Sequence, residues 1–359
     1  MDIKGNGLIQ DSPVIKLAGL IIIIAGVIYA KSIIAPFILA FFISIICAQP
    51  INWLEKKKTP RWLALMIVIL VLILLFFGFS IFIGETLASF SSNVSKYESA
   101  LKAIIISFIQ YLNENGVNIP QSQVSSLVQP EKILEFTASA LNGLFKMVGN
   151  TFLIFLIIFF ILTELKSFPI KAKAIMNVSG KSITYFSTII ENIRHYLWIK
   201  TLFCLLIGIL IYVALLIIGV SYPLLWALIA FLMSYIPNIG SIIAAVPAVL
   251  FSLVQLGLGS ALWTLVSFLL INNVIGNFVE PRIMGKGLGL STLVVFLSLL
   301  IWGFILGPVG MFLSVPITMA IKIIMEHNEN TRWIAILLGT SVEAKTYLKH
   351  KDLNQKKPI

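Results

Sequence analysis

The sequence predicts an all-α, polytopic transmembrane protein with two re-entrant or broken helical hairpins. Three observations carry this expectation. The chain has 359 residues, 59% hydrophobic and only 11% charged, with a mean hydropathy of +1.01. Soluble chains are about 25% charged, and at this length they form several domains that each need a charged exterior. Second, two long runs carry no charge at all: 79 residues over 201–279 and 35 over 287–321. Third, glycine and proline interrupt both runs, where an ordinary span would continue.

Taken in order, the apolar runs act as rulers, because a span needs about 20 residues to cross a hydrocarbon core of about 30 Å. Residues 17–30 (extended through Lys16 if that side chain snorkels), 32–54 and 62–84 give three N-terminal spans, and 147–163 gives a fourth. The 79-residue run breaks at Gly219 to Pro223, at Pro237 to Gly240 and at Gly257 to Gly259. Its first and last pieces are the fifth and sixth spans. Between them, residues 224–236 make a helix of about 20 Å, too short to cross alone. Turn chemistry at Pro237-Asn238-Ile239-Gly240 then predicts a hairpin that turns at Asn238 and leaves by the face it entered. In the last run, 290–306 and 309–325 flank Gly307-Pro308 and form a second hairpin, re-entrant or fully spanning.

Lysine and arginine set the orientation. Lys56, Lys57, Lys58 and Arg61 place the second inter-helix loop in the cytoplasm. Residues 166–200 carry six basic residues, the chain from Lys322 onward carries seven, and Arg282 and Lys286 follow the 79-residue run. With Lys4 and Lys16, 21 of the 26 basic residues fall inside beside ten acids, and the outside holds five of each. Both termini are then cytoplasmic, and both long runs begin and end inside. The net charge of +11 reads as membrane topology, with no nucleic-acid partner.

The water-facing parts are few. In the outer segment, Ile104, Ile105, Phe108, Ile109 and Leu112 share a helical face, Asn115-Gly116 breaks it, and Pro130 opens a second helix through Ile133, Leu134, Leu141 and Phe145. These helices suit either a docking surface or a position flat on the membrane. Residues 333–338 form a short apolar patch expected at the cytoplasmic interface.

Several chemistries are excluded. Cys47 and Cys204 lie in apolar runs with no ligand spacing, and His195, His327 and His350 are scattered, so neither a disulfide framework nor a metal site is expected. Gly180-Lys181-Ser182 resembles the end of a phosphate loop, but Ile175 stands where that loop needs glycine. Gly285-Lys286-Gly287-Leu288-Gly289 follows no strand and reads as a flexible turn. The first apolar run leads directly into a second, unlike a cleavable signal. Without a nucleophile–base pair, metal set or cofactor loop, no enzyme and no cofactor are expected.

Polar groups in hydrocarbon are costly and usually face a bundle interior or a water path. Asn238 sits at the first hairpin's tip, and Asn272, Asn273 and Asn277 lie on the sixth span. At α-helical spacing Asn273, Asn277 and Glu280 share one face. A broken hairpin also frees main-chain groups of the kind that transporters use for solute or ion contacts. The candidate path is therefore Pro237, Asn238, Gly240, Asn273, Asn277 and Glu280; the same asparagines also suit hydrogen bonding between packed helices. Pro281 is expected to end the sixth span. Glu280 and Arg282 can pair with each other or with neighbouring chain ends. Gly307, Pro308, Gly310 and Pro281 are the candidate hinges, and Gly303 and Gly307 have the spacing that permits close helix contact.

Residues 234–250, SYIPNIGSIIAAVPAVL, are similar to the proline–glycine hairpin signature of the autoinducer-2 exporter (AI-2E) family of bacterial membrane proteins. Residues 272–324 resemble its second signature, through Glu280-Pro281, Met284-Gly285-Lys286, Leu288-Gly289-Leu290 and Gly307-Pro308-Val309-Gly310-Met311. The resemblance implies a secondary transporter of the bacterial inner membrane that exports a small polar signalling molecule or metabolite by elevator-like alternating access. It also implies a homopentamer, and some members exchange Na+ or Li+ for H+. On that reading the chain divides into scaffold spans (1–90), an extracytoplasmic segment (91–146), a fourth span with a cytoplasmic linker (147–200), a transport domain with both hairpins (201–325) and a basic tail (326–359). The partners would be lipid, a small polar solute and a coupling ion (H+ or Na+). Two other functions remain open. Cation–proton antiport wants a carboxylate within the membrane, and only Glu280 and Glu164 lie near. A non-transport membrane scaffold would use the outer segment and the basic tail.

Overall fold

The computed structural model describes residues 13–92, 151–165, 184–237, 239–284 and 289–345, with scattered positions between 99 and 115 and between 167 and 174. Asn238 and the apolar faces expected in the outer segment lie outside the described residues. Every regular element among the described residues is helical. That follows from the solvent: hydrocarbon offers the backbone no partners, so each segment must satisfy its own amides and carbonyls.

In chain order the helices are α1 (Pro13–Tyr29), α2 (Lys31–Lys56), α3 (Arg61–Ser92), α4 (Thr151–Glu164), α5 (Thr184–Ile218), α6 (Pro223–Met233), α7 (Ile239–Leu256) and α8 (Leu258–Ile271). A π-helical segment (Asn272–Val279) leads into α9 (Glu280–Met284), followed by α10 (Thr292–Leu306), α11 (Pro308–Glu326) and α12 (Arg332–Leu338). Six described stretches are long and apolar enough to cross a membrane: Lys31–Lys56, Arg61–Thr86, Thr188–Ile218, Ile239–Leu256, Leu258–Val279 and Pro308–Glu326.

The helix breaks fall where glycine and proline foretold them. Gly219, Gly257 and Gly307 have φ of 85°, 88° and 70°, a region that side-chain-bearing residues rarely enter. Pro223 and Pro308 each open the following helix, where the missing N–H costs nothing. Two details add to the sequence reading. Residues 184–200, placed in the linker, form the first half of α5, a helix of 35 residues. The apolar span ends at Val279, just ahead of Pro281, but the helix does not stop there: the chain stays helical through Met284. The π segment explains this: the Glu280 amide bonds back to the Ile275 carbonyl, five residues away. The wide turn thus precedes the proline, whose ring would otherwise crowd an α-helical ladder.

The chain packs as two compact units. One comprises Met1–Gln49, Leu153–Tyr196 and Lys286–Ile359; the other comprises Pro50–Phe152 and Leu197–Gly285. The two hairpins, grouped within 201–325 by sequence, pack in different units.

In the second unit, α6 returns along the C-terminal half of α5. A Cβ on Gly208 of α5 would lie 3.1 Å from the Phe231 side chain and 3.3 Å from the Ala227 carbonyl of α6, so the two helices approach at a residue with no side chain. The far ends of α5 and α7 are clamped by Gln255. Its Oε1 accepts from the Ser221 amide at 2.8 Å, and its Nε2 donates to the Gly219 carbonyl at 3.5 Å. The α6–α7 hairpin therefore starts and finishes at the same end. Tyr222, beside this clamp, holds a left-handed φ of 58°. Its hydroxyl shares a 2.6 Å hydrogen bond with Ser89, and its ring packs on Phe251.

In the first unit, α10 and α11 form the second hairpin about Gly307. Trp302 Nε1 donates to Thr318 Oγ1 at 3.0 Å across it. Gly303 and Gly307 do not share a packing role. Gly303 makes room for Met311, whereas Gly307 is the turn itself. The tip residues Ile305 and Leu306 bury against Ile24, Val27, Ile28, Ile34, Ala35 and Ile38, which flank the one-residue break between α1 and α2.

Candidate functional site

The candidate site lies in the second unit, around the tip of the α6–α7 hairpin and the π segment. The tip turns from residue 234 onward. Its described amides are spent within the turn: Ser234 on Ala230, Tyr235 on Leu232, Ile236 on Met233, Ile239 on Pro237 and Gly240 on Ile236. The expected supply of free amides at this break is therefore absent among the described residues; carbonyls and side chains remain to contact a solute. Gly240 is buried, and a Cβ there would overlap the Met233 carbonyl, within 2.7 Å of its carbon. Pro237 is half-buried beside it.

The tip reaches the base of the unit. Tyr235 donates its hydroxyl to Thr201 Oγ1 at 2.8 Å, and the Thr201 hydroxyl in turn donates to the Leu197 carbonyl at 2.7 Å. One residue before Thr201, Lys200 Nζ donates to Glu280 Oε1 at 2.7 Å. Both residues are buried, at 7% and 9% exposure. Lys200 and Glu280 are the two charges that bound the 79-residue run, so the run closes on itself through its own end groups. Arg282 is exposed, and Glu280 pairs with Lys200, within α5, rather than with Arg282.

The asparagines sit on a different surface. Asn273 and Asn277 are exposed, Asn272 is half-buried and Glu280 is buried, so the expected common face of Asn273, Asn277 and Glu280 does not form. The reason is the helix type. A π turn takes more residues than the 3.6 of an α turn, and over seven residues the register drifts off the stripe. The amides instead serve the change of ladder. Asn272 and Asn273 donate to the carbonyls of Phe268 and Leu269, one turn back, and Asn277 Nδ2 donates to Asn273 Oδ1 at 2.8 Å. Among the described residues this leaves Asn277 Oδ1 and one N–H on each of Asn273 and Asn277 unspent.

The first unit closes its hairpin in a parallel way. Lys322, buried at 7% exposure, donates to the Gly289 carbonyl at 2.5 Å and to Glu343 Oε2 at 2.6 Å. Lys322 bounds the 35-residue run, so this run too is tied at its ends. Gly289 has a φ of 57°, and a Cβ there would lie 2.6 Å from Lys322 Nζ. Gly289→Ala should therefore cost about 1–3 kcal/mol from backbone strain and crowding together, measured as a lowered unfolding midpoint in detergent. Of the candidate hinges, Gly307 is the turn, Pro308 is exposed at the start of α11, and Gly310 is buried against the Trp302 carbonyl.

Sequence reasoning missed Lys200, Tyr235, Gln255 and Lys322. The signal for the two lysines was present: each is the charge at the edge of a charge-free run whose other end had to return to the same level. Tyr235 and Gln255 carried none, because their partners are more than 30 residues away with no local pattern.

Residues 17–330 match the profile described as AI-2E family transporter. The chain is 36% identical to a putative transport protein of Haemophilus influenzae over 342 residues, covering 93% of this chain and 98% of that protein. It is 36% identical to the AI-2 transport protein TqsA of Escherichia coli, covering 91% and 95%. It is 35% identical to the putative transport protein YhhT of E. coli, covering 90% and 93%. The chain is a multi-pass membrane protein that belongs to the AI-2E family of transporters.

Proposed function

We propose that the protein is a secondary transporter exporting a small polar signalling molecule or metabolite of the autoinducer-2 kind, by elevator-like alternating access. The observation that carries this reading is the exposed Asn273–Asn277 pair on a π segment of a membrane span. Exposed amides are costly against lipid, and π segments recur at functional sites. An uncharged amide pair with an unspent acceptor and unspent donors suits a hydroxyl-rich solute. In this reading Pro237, Asn238 and Gly240 form the far wall of the path, and both hairpins dip into the membrane from opposite faces. Gly307, Pro308, Gly310 and Pro281 act as hinges of the cycle. The protein sits in a bacterial inner membrane with both termini in the cytoplasm, and it assembles as a homopentamer. A proton or sodium ion drives the cycle. The similarity to a protein named for AI-2 transport supports the solute class.

Proteoliposomes loaded with autoinducer-2 test this reading. Wild-type protein should release it faster than empty vesicles do. Asn273→Leu with Asn277→Leu should lower the rate by about tenfold while leaving the unfolding midpoint near wild type, because exposed substitutions move stability little. Equal rates in wild type, the double variant and empty vesicles would exclude the reading.

A further inference from the structure

We infer that Lys200 and Glu280 form a breakable clasp, the inner gate of the second unit, which opens to bare the floor formed by Thr201, Cys204 and Tyr235. The inference rests on the transport reading, and four observations lead to it. First, the two residues are the terminal charges of the 79-residue run, and their contact ties the start of that run to its end. Second, the contact is poorly suited to a purely structural role. Lysine makes it with one of its three donors, at a single carboxylate oxygen, and no further partner of either side chain is found among the described residues. Buried ion pairs contribute stability only when geometry is excellent and the remaining donors and acceptors are satisfied. Third, the helix around Glu280 is irregular. Glu280 ends a π segment and precedes Pro281, which has no amide to hold it to the preceding turn. Fourth, the clasp adjoins the hairpin tip. Thr201, next to Lys200, receives the Tyr235 hydroxyl, so the gate and the tip are held by consecutive residues of α5.

Cys204, one helical turn beyond Lys200 and 0% exposed, is a native reporter for this opening. With Cys47→Ser as background, the full-length chain in vesicles is exposed to a membrane-impermeant maleimide and Cys204 alkylation is timed. Lys200→Ala and Glu280→Gln should each speed alkylation roughly a hundredfold, in keeping with loss of one partner of a buried pair. The charge-exchanged double variant, Lys200→Glu with Glu280→Lys, should restore slow alkylation. Lys200→Arg should stay slow, since it keeps the pair. Thr264→Val breaks the buried Thr264–Ser252 hydrogen bond elsewhere in the unit and should leave the rate unchanged, which separates gate opening from general loosening. The fast reaction should occur from the face carrying the basic loops. Single variants alkylated at the wild-type rate, an exchanged variant as fast as the single ones, or a Thr264→Val variant equally fast would overturn the inference. Alkylation is read without any solute, so a failed flux assay and a failed clasp are told apart.

Discussion

Gly240→Ala should unfold the tip of the first hairpin, and Gly310→Ala should do the same to the second. The two positions share one device. Each glycine follows a turn by a few residues and lies against a carbonyl in the last stretch of the preceding helix, Met233 in one case and Trp302 in the other. A methyl group has no room at either place, and the obstacle is main chain rather than a side chain that could swing aside. Overpacking usually costs about 1–3 kcal/mol, and a clash with backbone falls at or above the upper end. The expected result is a fall of the unfolding midpoint by several degrees and poor recovery of monodisperse protein. Gly78→Ala, in α3, where an added Cβ meets nothing within 4 Å, serves as the neutral comparison.

Loss of either Lys200 or Glu280 should carry the other large effect. Removing one partner leaves the other charged, buried and uncompensated, a situation that costs about 3–5 kcal/mol. Lys200→Met alone and Glu280→Met alone should therefore both be strongly destabilised in thermal unfolding. Lys200→Met together with Glu280→Met should recover most of the loss, because apolar replacement of a whole buried pair is often neutral. Additive losses in the double variant would show that the two side chains act separately.

The helix breaks could be read from the sequence because they rest on local chemistry. Gly219, Pro223, Gly257, Gly307 and Pro308 each force or permit a backbone state that apolar neighbours do not, and each is found at a helix end. Two kinds of feature were hidden. A π segment has no sequence period of its own, so α-helical spacing put Glu280 on the asparagine face when it is buried against Lys200. The start of α5 was masked by its charges, since Glu191, Arg194 and Lys200 read as a loop. A stripe was nevertheless there: Ile189, Ile193, Tyr196, Lys200, Phe203 and Ile207 are all buried and recur at steps of three and four. Lys200 sits on that apolar stripe, which is the clue that its charge is held inside. The links 201–235 and 200–280 depend on tertiary folding and left no mark on either segment alone.

The account rests on the 201–279 run crossing once, folding back as a hairpin and crossing home. Sided labelling of single cysteines at Ser221, Leu258 and Arg282, in a background lacking Cys47 and Cys204, tests this most directly. Ser221→Cys and Leu258→Cys should react with an impermeant reagent from the same face, and Arg282→Cys from the opposite one. Reaction of Ser221→Cys and Leu258→Cys from opposite faces would contradict the hairpin and the transport path built upon it.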